Sequence, residues 1–292
     1  MNFEELQRDL DRIMNNLNNE VNEDFEGYSP LEMQHILYNT LGPESPIRLK
    51  KLSEAEYRDI PMLNLVKHLT GLIAKNGEIK LTAKGFLPTK IVSELYQQGY
   101  HKEEQIESGI TKLYKETDSM TVNLSRILSE LSGLVKKRSG KISLTKTGKK
   151  IFQDDVALLA SIFETFAAKF NWAYYDGYGD NKIGQLGYGF SLILLSKYGK
   201  QKQLNTFYAR KYLKAFPALL DPLVPRHDTP EAYASRCYSI RTFDRYLDYF
   251  GLVQIEKESE SYNSKKYITI TPLFDKLIEV EPPGQHRKLK VS

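Results

Sequence analysis

A short alternation of apolar and polar positions recurs in this chain inside a fixed phrase. Residues 77–85 read GEIKLTAKG and residues 140–148 read GKISLTKTG, identical at five of nine positions. A more eroded copy runs over 251–253 and, after a longer polar insert, over 268–272. Alternation places Ile79 with Leu81, and Ile142 with Leu144, on one face of a strand. Before each phrase stands an apolar run interrupted by a glycine, Gly71 or Gly133, the residue best suited to stop a helix. Leu72-Ile73 and Leu134-Val135 are then expected to open a first strand, and the turns at Gly77 and Gly140 to reverse the chain. The closing Thr can cap a further helix, and in the third copy Thr271 is followed by Pro272 and Asp275. The pattern predicts a helix and a two-stranded hairpin three times, within residues 62–86, 121–152 and 240–279.

Elsewhere the helical period dominates. Leu6, Leu10, Ile13 and Leu17 make residues 3–21 an amphipathic helix, too short for a coiled coil, expected to pack on the body or on a second copy. Ser29-Pro30-Leu31-Glu32 is a capping box. Pro61 opens a helix carrying Met62, Val66 and Leu69, Pro88 opens another over 89–98, and 103–116 reads as a polar linking helix. In 120–131, Leu124, Ile127, Leu128 and Leu131 are expected to face inward, leaving Asn123, Ser125, Arg126 and Ser129 in solvent. Residues 154–171 form a strongly apolar helix, followed by a loop over 172–189 dense in Tyr and Gly. Two helices follow, over 190–198 and 204–216. Thr229-Pro230 caps a helix over 231–238, and Ser239 caps a second over 240–250. That last helix is expected to bury Ile240, Phe243, Leu247 and Phe250 and to expose Arg241, Thr242 and Arg245.

Helix, hairpin, helix is the layout of a winged helix, and I-x-L-T-x-x-G resembles the wing strand of many bacterial winged-helix regulators. The expected fold is mainly α with small β-hairpins, as tandem winged-helix-like modules joined by helical segments. Residues 1–60 form an acidic arm, 61–118 and 119–152 two modules, and 153–225 a central helical region. A third module spans 226–282, and 283–292 is a disordered tail. A further resemblance rests on Phe25-Glu26-Gly27-Tyr28-Ser29-Pro30 together with Leu81-Thr82-Ala83-Lys84-Gly85-Phe86-Leu87-Pro88. These motifs, F-x-G-[LY]-S-P and L-T-x-K-G-x-L-P, are similar to those of uncharacterised bacterial proteins that include a plasmid open-reading-frame group. The similarity is strongest over residues 25–99, and it implies a fold without implying an activity.

Charge adds a functional dimension. The first 60 residues carry 13 acids and 6 Lys/Arg, a net of −7, and the remaining 232 carry a net of +11. Residues 136–150 hold seven cations and no acid. Such a division fits a basic body that meets nucleic acid, or an acidic arm that touches a basic body. Candidate DNA contacts are Arg126, Lys136, Lys137, Arg138 and Lys141 in the second module and Arg241, Thr242 and Arg245 in the third. The five His are scattered singly without metal-ligand spacing, and no nucleophile, phosphate-loop or metalloprotease motif occurs. No cofactor and no enzymatic activity are expected. The reading is a DNA-binding protein with a regulator's role, against the alternative of a scaffold whose winged helices dock protein. A homodimer through the N-terminal helix is the expected self-association. Apolar runs are too short to span a bilayer, no secretion signal is visible, and the lone Cys237 fits a reducing cytoplasm.

Overall fold

The computed structural model describes residues 3–259 and 264–284. From the N-terminus come α1 (Phe3–Asn19), α2 (Pro30–Tyr38), the strand β1 (Ile47–Leu49) and the single turn α3 (Glu54–Tyr57). Next are α4 (Pro61–Asn76), β2 (Ile79–Lys80), α5 (Thr89–Gln97), α6 (Glu104–Glu107) and α7 (Met120–Leu131). The hairpin β3 (Val135–Arg138) and β4 (Lys141–Leu144) leads to α8 (Lys146–Ile151) and α9 (Asp155–Glu164), which runs into a π-helical turn, Thr165–Lys169. The remainder holds α10 (Tyr188–Tyr198), β5 (Gln203–Leu204), α11 (Asn205–Ala215), α12 (Pro230–Ser239), β6 (Val253–Lys257), β7 (Lys266–Ile270), α13 (Pro272–Leu277) and β8 (Ile278–Val280).

The chain divides into two compact units. One comprises Met1–Lys50, Trp172–Asp244 and Val253–Ser292, and the other Lys51–Asn171 with Arg245–Leu252. Both are helical with small antiparallel sheets. The acidic segment 1–50 therefore groups with the C-terminal elements. Its β1 pairs β8 with Ile47 opposite Val280, and the Tyr28 hydroxyl donates to the Glu281 carbonyl at 2.6 Å. Glu26 accepts hydrogen bonds from Lys197, Tyr198 and Lys211, each at 2.6–2.7 Å. Burial pushes its carboxyl up, and these three donors outweigh burial and hold it below its ordinary value.

One succession occurs twice: helix, strand, helix, helix, strand, strand. In the unit of Lys51–Asn171 it is α4, β2, α5, α7, β3 and β4, with the single turn α6 between α5 and α7 and sheet order β2-β4-β3. In the other unit it is α10, β5, α11, α12, β6 and β7, with order β5-β7-β6. The insertion of the third strand between the other two is the same in both. α4 packs on α7 and β4, and Met62, Val66, Leu69 and Ile73 of α4, Val122 and Leu128 of α7 and Ile142 of β4 are all buried.

Several local expectations change. The phrase at 77–85 forms no hairpin of its own. α4 continues through Gly71 to Asn76, so Leu72 and Ile73 are helical. The strand that follows pairs with the second copy of the phrase, with Ile79 opposite Ile142, Lys80 opposite Lys141, and the Leu81 amide donating to Gly140. The two echoes are therefore neighbours in one sheet. Residues 103–116 hold only the short α6. Ser239 does not start a new helix, because α12 continues into a π-helical segment, Ile240–Leu247. Part of the predicted insert (260–263) and most of the predicted tail (285–292) lie outside the described residues.

Candidate nucleic-acid interface

The hairpin β3–β4 turns through Ser139 and Gly140, both at positive φ, 49° and 70°. Two such residues are what a two-residue turn matched to strand twist requires. Arg138 and Lys141 are the pair that closes the turn. Residues directly opposite in an antiparallel ladder share a face. Lys80, Lys141 and Arg138 thus form a row of three cations across the three strands, on the face away from buried Ile79 and Ile142. Lys136 stands on that same face two residues from Arg138, opposite Ser143, and all four cations are exposed. Lys137 points to the other face at the sheet edge, where its Nζ donates to the Gly85 carbonyl at 3.2 Å. Lys141 pairs with Glu78, an ion pair that is half exposed at each end. Lys146, Lys149 and Lys150 of α8 are exposed as well.

The helix preceding the hairpin is a different matter. Asn123, Ser125, Arg126 and Ser129 of α7, expected in solvent, are buried, and Leu131, expected inward, is exposed. Arg126 is 7% exposed; its Nε donates to Glu116 at 2.7 Å and its Nη1 to Glu130 at 2.5 Å. Burial works against the guanidinium charge, and Glu116 and Glu130 outweigh it, raising the Arg126 pKa above its ordinary value. Glu116 is itself fully buried and accepts from the Leu87 amide and the Asn123 side chain. The N-terminus of α7 is occupied too: Glu103 accepts from the amides of Met120 and Thr121 and from the hydroxyls of Ser119 and Thr121. A carboxylate there satisfies the free amides and the helix dipole together. Serines and Asn signal exposure by composition, and here they bond internally, as Ser125 does to Val122 and Ser129 to Ser125.

The third set of candidates is also redirected. Arg241 and Thr242 are each 1% exposed. Arg241 pairs with the buried side chain of Asp176 and donates to the carbonyls of Gly179, Asn181 and Ile183. It holds the Tyr/Gly loop in place, a role no local pattern announces because the partners lie about 60 residues away. Thr242 sits against Gly184. Arg245 is partly exposed. Of the eight sequence candidates, the structure brings three together on one face, Lys136, Arg138 and Lys141, and turns Lys137 to the other. It adds Lys80, which only the strand order reveals.

Among the described residues no group of three or more His, Cys, Asp or Glu is placed to hold a metal. Nor is any helix among them long and apolar enough to cross a membrane. No curated protein and no solved structure matches the chain. A family model described as the Y4jL N-terminal domain matches residues 58–157. That span takes in every element from α4 to α8, including both echoes, the motif at 81–88 and the cation row, and leaves the motif at 25–30 outside. Over that stretch the chain is similar to the Y4jL N-terminal domain.

Proposed function

We propose that this is a non-enzymatic, cytoplasmic nucleic-acid-binding protein with two winged-helix modules, which contacts duplex DNA through the β3–β4 wing. The module assignment is supported by the repeated succession of elements and by the third strand lying between the other two in both sheets. The observation that carries the function is the row Lys80, Lys141 and Arg138 with Lys136 beside it, four exposed cations on one face of one small sheet. Such a surface suits phosphates, whose contacts supply affinity and position without sequence information. The helix α7, with eight of its twelve residues buried, offers no row of side chains to base edges. Binding is therefore expected to be tolerant of sequence and strongly dependent on salt. The test is binding to a mixed-sequence duplex at about 50 mM salt, with native protein and with a Lys80/Arg138/Lys141→Ala variant. Binding that weakens at least tenfold in the variant, with unchanged circular dichroism, supports the proposal. Absence of binding by the native protein at that salt rejects it.

A second element of the reading concerns α1. Phe3, Leu6, Leu10, Ile13 and Leu17 follow 3, 4, 3, 4 spacing and are all 45–78% exposed. That spacing is a coiled-coil seam in miniature, and two acids in excess over Arg8 and Arg12 disfavour an anionic membrane. A second copy of the chain is the proposed occupant. Sedimentation should show a dimer that Leu10→Asp converts to a monomer. A native protein that stays monomeric at about 100 μM, a concentration at which even a weak pairing of about −5 kcal/mol would be visible, counts against it.

A further inference from the structure

The Tyr/Gly loop borders a half-open cavity that the nucleic-acid reading does not use. A cavity of 740 Å³ lies between residues 177–182 of the loop and the connector 218–226, with Tyr233 of α12 in its wall. That size falls in the range of small-molecule sites. One wall is aliphatic, with Leu219, Leu223 and the rings of Pro222 and Pro225. The other is aromatic, with the Tyr178 and Tyr233 rings edge to face at 5.1 Å. The Tyr233 hydroxyl is already committed to the Tyr178 carbonyl at 2.6 Å. Two charged side chains in the lining, Lys182 and Arg226, are exposed and have no ion partner among the described residues, and against them stands Asp180 alone. Asp176 adds no charge to the balance because Arg241 neutralises it. The loop wall is pre-formed, since the same buried Arg241 holds the carbonyls of Gly179, Asn181 and Ile183. Little ordering entropy would then oppose binding.

We infer that this cavity is a binding site for a small aromatic acid, its flat ring between the aliphatic and tyrosine walls and its anionic group at Lys182 and Arg226. The ring shape follows from the aliphatic and tyrosine parts of the lining, and the acid from a local excess of one positive charge. The probe is 1-anilinonaphthalene-8-sulfonate, an aromatic body with one sulfonate, titrated into the full chain and followed by its fluorescence. One saturable site per chain is expected. Lys182→Glu/Arg226→Glu should weaken it at least tenfold with the thermal midpoint unchanged, and Leu10→Asp on the exposed α1 face should leave it as it was. N-phenyl-1-naphthylamine, which lacks the sulfonate, should bind the native protein at least tenfold more weakly, a comparison that needs no variant to fold. Equal affinity of the two probes, equal affinity in the charge-reversed protein, no saturable binding, or loss of the signal in Leu10→Asp would each overturn the assignment.

Discussion

Arg241 and Arg126 show what an arginine in an otherwise readable helix can be used for. Each lies in a segment whose apolar spacing marks a helix, and each is expected on the polar face because charge ordinarily seeks water. Periodicity reports which residues are apolar; it cannot report that a carboxylate 65 residues earlier in the chain occupies the opposite wall, as Asp176 does for Arg241. The consequence is measurable. Arg241→Ala leaves Asp176 and three backbone carbonyls without their donor in a dry site, and removing one partner of a buried ion pair costs about 3–5 kcal/mol. The midpoint of denaturant unfolding should fall accordingly, and the fluorescence of Trp172, the only tryptophan and a buried one at the base of the same loop, should shift to the red in the folded baseline. A loss under about 1 kcal/mol, the scale of an exposed pair, would show that water reaches this arginine. By contrast, the capping boxes at Ser29/Glu32 and Ser53/Glu56 form as local sequence demands, since every partner lies within three residues.

At the level of elements, the repeated phrase is legible and its pairing is not. Both copies contain a strand at the expected place, yet a two-residue strand such as β2 has no means of declaring its neighbour. Local hairpin closure is the cheapest pairing for loop entropy, and that made 77–85 look self-contained. Burial of Ile79 and Ile142 decides otherwise by drawing the first copy alongside the second. The glycines in and before the second copy of the phrase divide in the same way. Gly148 is helical, and a Cβ there would meet the Leu134 carbonyl oxygen at 1.9 Å, a backbone group that cannot step aside. Gly133 has φ of +73° with nothing nearby. Gly148→Ala should therefore cost about 2–3 kcal/mol through overpacking. Gly133→Ala should cost only about 1 kcal/mol, the strain of a left-handed alanine. Thermal midpoints of the two variants would rank them, and the reverse order would mean that α8 does not rest on the β3 end of the hairpin.

Across the whole molecule, charge is distributed by unit rather than by position along the chain. The unit of Lys51–Asn171 with Arg245–Leu252 holds 20 Lys/Arg and 15 acids, a net of +5, and the other holds 21 and 22, a net of −1. The acidic arm accounts for this difference, because it lies with the C-terminal elements and its carboxylates engage their cations. Glu26 takes Lys197 and Lys211, and Asp24 takes Lys214 at 2.6 Å. The wing row, in which Lys141 alone is ion-paired among the described residues, keeps its field. Each phosphate neutralised by a protein cation contributes about 0.9 to the slope of log affinity against log salt. Removing Lys80, Arg138 and Lys141 should then flatten the slope by about 2.7 if all three reach phosphates. Replacing Lys197, Lys211 and Lys214 removes the same formal charge from cations that already have carboxylate partners, and the slope should change by less than about 0.9, one contact. Parallel titrations of the two triple variants on one mixed-sequence duplex separate a local wing contact from a general response to net charge. Equal flattening in both would show that duplex binding follows overall charge and would remove the wing from its assigned role.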